Sequence, residues 1–479
     1  MSNEYQTATP VEAEGKQSQV PSSGGSLYQA RKKIHPRAVT GIFATWRWIL
    51  VWVTQLVFYG LCWLPWNGRQ AVLFDLVERK FYLFGLVLWP QDVIYLTILL
   101  IISAYGLFLF TAIAGRLWCG YACPQTVYTE IFVWIEKLVE GDRNARIKLD
   151  AAPLTGGKVA KRAVKFALWA VVAAWTGFTF VGYFTPIKAL SAELATFSLG
   201  PWEWFWFLFY SAFTYLMAGH MREQVCLYMC PYARFQGVMF DPDTLVITYD
   251  EERGEPRGTR RKGDDYKAQG KGHCVDCDLC IAVCPTGIDI RKGMQYECIG
   301  CAACIDVCDQ VMAKMEYPKG LIRYSTEHAI AEHWGWKEIA GHIVRPRVIL
   351  YSVILGLIAA ALAWGLAHKA NLRVDVIRDR GTLAREVEDG LIENVFRLQV
   401  MNITEQPHRY AISVSGLDKM TLVGDQIIEV PAALTKSFVV SVRVPPESGK
   451  NGSNPIHFDI KAVDNDQIAV HEKAIFLIP

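Results

Sequence analysis

Five apolar stretches, each about 20 residues long and so able to cross the hydrocarbon core of a bilayer, leave this chain few choices of fold. They run Ile42–Trp63, Val93–Ala114, Ala163–Ile187, Trp202–His220 and Val348–Ala367. Hydrophobic residues make up 52% of the 479 positions, and their gathering into these stretches is what makes them read as transmembrane helices rather than as one soluble core. Lys and Arg concentrate in cytoplasmic loops, so their distribution sets the orientation. Arg31, Lys32, Lys33 and Arg37 precede the first stretch. Eight basic residues (Arg116, Lys137, Arg143, Arg146, Lys148, Lys158, Lys161 and Arg162) lie between the second and third, against Lys188 alone between the third and fourth. Arg345 and Arg347 precede the fifth. The expected topology is N-terminus inside, C-terminus outside. Arg47 is expected to snorkel to the headgroups from the inner end of the first helix, and Phe81–Pro90, too short to span, to lie against the outer interface.

Residues Met1 to Ser26 are polar and read as disordered, with no cleavable signal peptide. A net charge of +2 points to neither nucleic acid nor an acidic partner. The expected organisation is a disordered cytoplasmic N-terminus (1–40), a four-helix membrane domain (41–240), a cytoplasmic linker and ferredoxin-like module (241–345), a fifth transmembrane helix (346–369) and an outer domain (370–479).

Under this topology 12 of the 13 cysteines face the reducing cytoplasm, where disulfides are rare and such a count points to metal or redox chemistry. Cys274, Cys277, Cys280 and Cys284 are spaced C-x2-C-x2-C-x3-C and followed by Pro285. Cys298, Cys301, Cys304 and Cys308 repeat the spacing, with Asp309 in place of Pro. This is the bacterial two-cluster ferredoxin pattern, in which the fourth cysteine of each run serves the other cluster. One [4Fe–4S] cluster is therefore assigned to Cys274, Cys277, Cys280 and Cys308, the other to Cys298, Cys301, Cys304 and Cys284. A zinc ribbon would need two widely separated cysteine pairs instead.

Four more cysteines form a second pattern. Cys119-Gly-Tyr-Ala-Cys123-Pro124 and Cys226-Leu-Tyr-Met-Cys230-Pro231 both read C-x-Y-x-C-P at an offset of 107 residues, so the first four helices look like an internal repeat. Positions i and i+4 share a helix face, so each pair is expected to present two thiolates together, with the prolines ending or restarting the helix. Four soft thiolates suit Cu(I) or another thiophilic ion. Copper binding, a further cluster and disulfide exchange all remain open on spacing alone, as does packing by small apolar cysteines. His220, Met217, Met221 and Met229 near the second pair read mainly as packing, His273 as a residue that tunes or shields a cluster, and Cys62 as packing.

From Asn371 onward, alternating segments (Arg373–Ile377, Val395–Ile403, Tyr410–Val414, Gln426–Val430, Ser437–Val444, Ile456–Ala462 and Ala474–Leu477) are separated by Gly, Pro, Asn and Asp. That pattern reads as an all-β immunoglobulin-like sandwich. It contains no cysteine and no catalytic set and is read as an interaction domain.

The two C-x-Y-x-C-P motifs, the two ferredoxin runs and the sandwich, in this order, resemble the cytochrome c oxidase accessory protein family CcoG, also called FixG or RdxA, over about residues 30–479. The resemblance implies a multi-pass protein of the bacterial inner membrane, with clusters cytoplasmic and sandwich periplasmic. It also implies reduction of Cu(II) to Cu(I) during assembly of a cbb3-type oxidase. Cys119, Cys123, Cys226 and Cys230 would then be the copper-handling thiols, supplied with electrons by the eight ferredoxin cysteines. Membrane lipid, a cytoplasmic electron donor, and oxidase subunits or copper-delivery proteins would be partners, and a homo-oligomer is compatible with all of this. Two other functions fit the same motifs: an electron relay in a membrane quinol dehydrogenase, which the lack of a CXXCH haem site argues against, and a non-redox assembly scaffold.

Overall fold

A computed structural model describes residues 33–379, 384–387 and 390–479. The expected disordered segment 1–40 falls outside this range up to residue 32; residues 33–40 are placed. Arg37 donates its backbone N–H to Ala282 O at 2.8 Å, and Ala38 N–H reaches Asp142 Oδ1 at 3.1 Å. This stretch is therefore docked against the ferredoxin module rather than free.

Among the described residues, four helices are long and apolar enough to cross a membrane: Ile42–Trp63, Pro90–Ala114, Gly156–Val181 and Pro346–Ala367. The remaining apolar stretch differs from a regular span. It is a 14-residue α-helix, Pro201–Thr214, running on as a seven-residue π-helix, Tyr215–Met221. The wider ladder is seen in the bond from Arg222 N–H to Met217 O, five residues back, at 2.8 Å. It coincides with Gly219, where a Cβ would lie 2.9 Å from the Trp169 ring, so the helix widens as a small residue passes a bulky one.

The C-terminal unit is a two-sheet sandwich. One sheet has the order Thr421–Val423, Thr435–Val444, Ile392–Asn402, Leu372–Arg378; the other runs Ile427–Val430, His408–Ser415, Gly452–Ala462, Ala469–Ile478. Alternation along each strand sends Phe396, Leu398, Val400, Phe458 and Phe476 into a shared core. All seven anticipated strands are present. Asn402, the first residue of a sequon, is fully buried and donates to Val430 O and Pro431 O, so its role is structural.

Residues 65–88 form short antiparallel strands rather than a lone interfacial segment, and Val87 and Trp89 pack on Ile403 of the sandwich. Asp92 pairs with Lys369 at 2.7 Å and Arg373 at 3.0 Å. The sandwich thus sits where the first membrane helix ends and the second begins.

The ferredoxin module sits at the other end of the first helix. Asp306 accepts from the N–H groups of Phe43 and Ala44 at 3.2 and 2.7 Å, capping from a distant segment a helix whose own Gly41 offers no side chain. A Cβ at Gly41 would lie 2.3 Å from Asp306 Cγ. Asp306→Ala is expected to cost about 1 kcal/mol. Gly41→Ala should also loosen the docking, read as faster proteolysis between residues 37 and 42 in detergent. Arg47 does not snorkel as expected. It is 7% exposed and faces Glu130 at 3.9 Å, with Cys301 and Asp306 of the ferredoxin module close by.

Candidate redox centre

The two ferredoxin runs fold alike. Asp276 and Asp278 in the first and Gly300 and Ala302 in the second, the second and fourth residues after each leading cysteine, all have φ between 53° and 69°. Alternating left- and right-handed residues turn successive N–H groups inward and make a concavity for an anion. Each loop then enters a helix, Leu279–Val283 or Ala303–Met315. The first helix stops at Cys284, which is extended, so Pro285 is accommodated. The second continues through Cys308 to Met315, where a proline at 309 would break it. Asp309 instead accepts from Gly320 N–H at 2.9 Å and holds the returning chain.

Two cavities of similar empty volume lie between the loops. One, about 370 Å³, is lined by Cys274, Cys277, Cys280 and Cys308. The other, about 340 Å³, is lined by Cys284, Cys298, Cys301 and Cys304, with Cys280 also at its wall. Each draws three cysteines from one run and the fourth from the other. Burial pushes the Cys280, Cys298 and Cys308 thiols up to about 12. Such thiols become thiolates only against strong positive charge, which iron supplies. N–H groups of Ile281, Gly300 and Ala303 favour the charged forms of Cys280, Cys298 and Cys301, and the Arg47 guanidinium acts in the same direction on Cys301. Four thiols, N–H groups directed at them and a largely apolar lining fit a [4Fe–4S] cubane in each cavity.

Arg291 locks the first loop. Its side chain is 6% exposed and bonds Asp276 and Asp278 at 2.7 Å and Asp289 at 2.8 Å, fixing both left-handed residues at once. Nothing in the spacing pointed to this residue. His273 accepts from Arg253 Nε at 3.0 Å and meets Tyr266 Oη at 3.0 Å, so it braces the loop from outside the cavity. The strands Val246–Tyr249 and Ile322–Ser325 pair antiparallel and clamp the module's ends.

The two C-x-Y-x-C-P motifs meet here as well. In each, a short helix (Leu117–Tyr121, or the π-helix Val225–Met229) ends before an extended cysteine, and the proline opens the next helix. The i, i+4 helix face expected for each pair is therefore interrupted between its two cysteines. Contact across the repeat is made by tertiary packing instead. Cys119 and Cys226 both pack on the patch formed by Ile299, Cys301 and Ala303. Gln236, fully buried on the helix after the second motif, lies 3.5 Å from Cys119 Sγ. Burial pushes Cys119 up to about 11 and Cys226 up to about 12, and the charges of the other three thiols push Cys226 further the same way. The Arg116 guanidinium opposes both, while bonding Tyr296 O and Ala233 O. Among the described residues no group of three or more His, Cys, Asp or Glu side chains is placed to hold a single metal ion.

Backbone contact joins this thiol layer to the second cavity. A Cβ at Gly120 would lie 2.8 Å from Cys301 Cα, and one at Gly300 would lie 3.0 Å from Arg116 O. His220 packs with Phe166, Trp169 and Tyr215, centroids 5.4 to 6.1 Å away, and Cys62 is buried with Phe178, Val181 and Leu190.

Residues 221–327 match the family described as a 4Fe-4S dicluster domain, residues 96–140 a 4Fe-4S binding domain, and residues 362–479 the IG-like fold at the C-terminus of FixG. The nitrogen fixation protein FixG of Rhizobium meliloti is 37% identical over 429 residues, 83% of this chain and 82% of that one. Protein RdxA of Cereibacter sphaeroides is 36% identical over 445 residues, 91% and 94% of the two chains. Protein RdxB of the same organism is 39% identical over 399 residues, covering 82% and 83%.

Proposed function

Because this chain belongs to the FixG/RdxA family of membrane iron–sulfur electron-transfer proteins, we propose that it reduces Cu(II) to Cu(I) for assembly of a cbb3-type oxidase. Cys274, Cys277, Cys280 and Cys308 hold one cluster; Cys284, Cys298, Cys301 and Cys304 hold the other. When bound, the clusters supply one-electron storage. The protein's own part is to bury them, to steady their charge with N–H groups and to bring a second set of thiols within reach.

The observation that carries this reading is the contact of Gly120 with Cys301, which sets Cys119 directly against the second cluster's loop. Cys119, Cys123, Cys226 and Cys230 receive the copper substrate. Thiolates favour Cu(I) over Cu(II) and so assist the reduction. Each electron converts one Cu(II) to one Cu(I), and the proton that a thiol loses on binding copper passes to solvent. In this reading the module faces the cytoplasm, as the Lys and Arg distribution supports, and the sandwich faces the periplasm and contacts oxidase subunits or copper-delivery proteins.

The test is anaerobic titration of the reduced, full-length protein with Cu(II) in the presence of a Cu(I)-specific chromogenic chelator. Cys119→Ser and Cys226→Ser should each slow Cu(I) formation by about 10- to 100-fold while leaving iron content and the cluster EPR signals intact. Wild-type rates in both variants would refute the thiol assignment. Normal oxidase assembly in cells carrying Cys298→Ala would leave only a scaffolding role.

A further inference from the structure

A cleft, partly open to solvent, lies between the Ile42–Gly60 and Pro124–Glu140 helices and runs in to the second cysteine run. Its inner wall is Val283, Pro285, Ile299 and Ala303, each adjacent in sequence to a cysteine of the second cavity, together with Cys226. Its outer part carries Trp48 and Trp134, packed edge to face with centroids 6.2 Å apart. Trp134 is 48% exposed, and the neighbouring Trp46 and Ile49 also face outward, the composition of a helix surface at the lipid boundary. Two buried arginines line the space with a free donor. Arg47 and Arg146 are 7% and 1% exposed, and the Nε atom of each has no partner. Glu130, 3.9 Å from Arg47, adds an acceptor.

We propose that this cavity binds a membrane quinol and that the quinol is the electron donor to the second cluster. The chemistry of the lining selects the class of ligand. A flat aromatic ring suits the tryptophan-walled outer part, its two oxygens suit guanidinium donors and a carboxylate acceptor, and an apolar tail suits a mouth at the lipid boundary. An anionic lipid headgroup fits less well, because the five Arg and Lys side chains of the lining face Glu130, Asp142 and Glu223, and Glu136 pairs with two of them, Arg146 and Arg222, which leaves little net positive charge. A redox ligand also accounts for the place of the cavity against the cysteine run. One quinol loses two electrons and two protons and becomes the quinone. The electrons leave singly, one for each of the two clusters. One proton passes to the Glu130 carboxylate and the other to water at the mouth. The proposal rests on the clusters being present and not on copper being the acceptor.

The test uses oxidised, full-length protein in lipid nanodiscs under anaerobic conditions, with decylubiquinol as the probe and dithionite as the control reductant. Bleaching of the cluster absorption and the EPR signal of the reduced clusters are the readouts. Decylubiquinol should reduce the clusters of the wild type. Trp134→Leu and Glu130→Gln should each slow that step by about tenfold or more, with iron content and dithionite-reduced spectra unchanged. A photoreactive azidoquinone should label peptides containing Trp48 or Trp134. Clusters that dithionite reduces and decylubiquinol does not, variants as fast as wild type, or labelling elsewhere would overturn the proposal. So would phospholipid retained in the cavity and not displaced by quinone. Loss of Cu(II) reduction alone, with quinol still reducing the clusters, would overturn the copper reading and leave this one standing.

Discussion

Serine at both Cys274 and Cys308 is expected to leave about four irons per chain, one intact [4Fe–4S] cluster, whereas serine at both Cys274 and Cys284 should leave none. The two pairs differ only in which cavity the second cysteine lines. Cys308 shares a cavity with Cys274, so the first double variant damages one site twice. Cys284 follows Cys274 in sequence but lines the other cavity, so the second double variant removes a ligand from each. If each run bound its own cluster, the outcomes would be reversed. Iron and acid-labile sulfide assays on anaerobically purified protein, with EPR of the reduced samples, separate the cases. The cause is geometric. The Leu279–Val283 helix is too short to carry Cys284 back to its own loop, while the longer Ala303–Met315 helix carries Cys308 across to the first.

Glu136→Ala is expected to destabilise the membrane domain by about 3–5 kcal/mol, the usual cost of leaving buried charge uncompensated. Glu136 is 1% exposed and lies 2.5 Å from Arg222, 2.9 Å from Arg146 and 3.7 Å from Lys165. Its removal strands cations from three separate segments, two of which line the proposed quinol cavity. Burial raises the Glu136 carboxyl, but Arg222, Lys165 and Arg146 together outweigh it and hold the group below the usual carboxylate range. A depressed folded-state value contributes stability that is present above the unfolded carboxylate range and lost as pH falls through the folded value. Acidification below about pH 4 should therefore weaken the wild type at this site and leave Glu136→Ala less affected. Thermal unfolding in detergent, followed by loss of cluster absorption, measures both. The exposed pair Lys262–Glu316, 2.7 Å apart, is the control, and Glu316→Ala should produce no measurable change. Equal behaviour of the two variants would show that the buried network is not holding these segments together.

Much of the molecule was legible from residue order. The cysteine loops were readable because their spacing is itself the constraint: two residues between ligands leave few backbone paths around a cubane. The sandwich strands were readable because period-two alternation states directly which side of each strand is buried. The Trp202–His220 stretch was legible as a helix but not as a π-widened one, since the widening answers to Trp169 on another helix. Arg47 departs from its expected place for the same reason, its surroundings being made by segments more than 80 residues away.

Residue order by itself therefore determined the inventory of parts: apolar spans, two cluster-binding loops, two repeated thiol pairs and a β-sandwich. Those are properties of short windows, which covalent spacing and hydrophobic period constrain directly, although spacing left the chemistry of the thiol pairs open. Tertiary packing alone decided how the parts serve one another. It placed Asp306 on the end of the first helix, set Gly120 against Cys301, and opened a cavity between the bilayer boundary and the second cysteine run. Contacts of that kind depend on close packing between segments far apart in the chain, which no local pattern of residue types encodes.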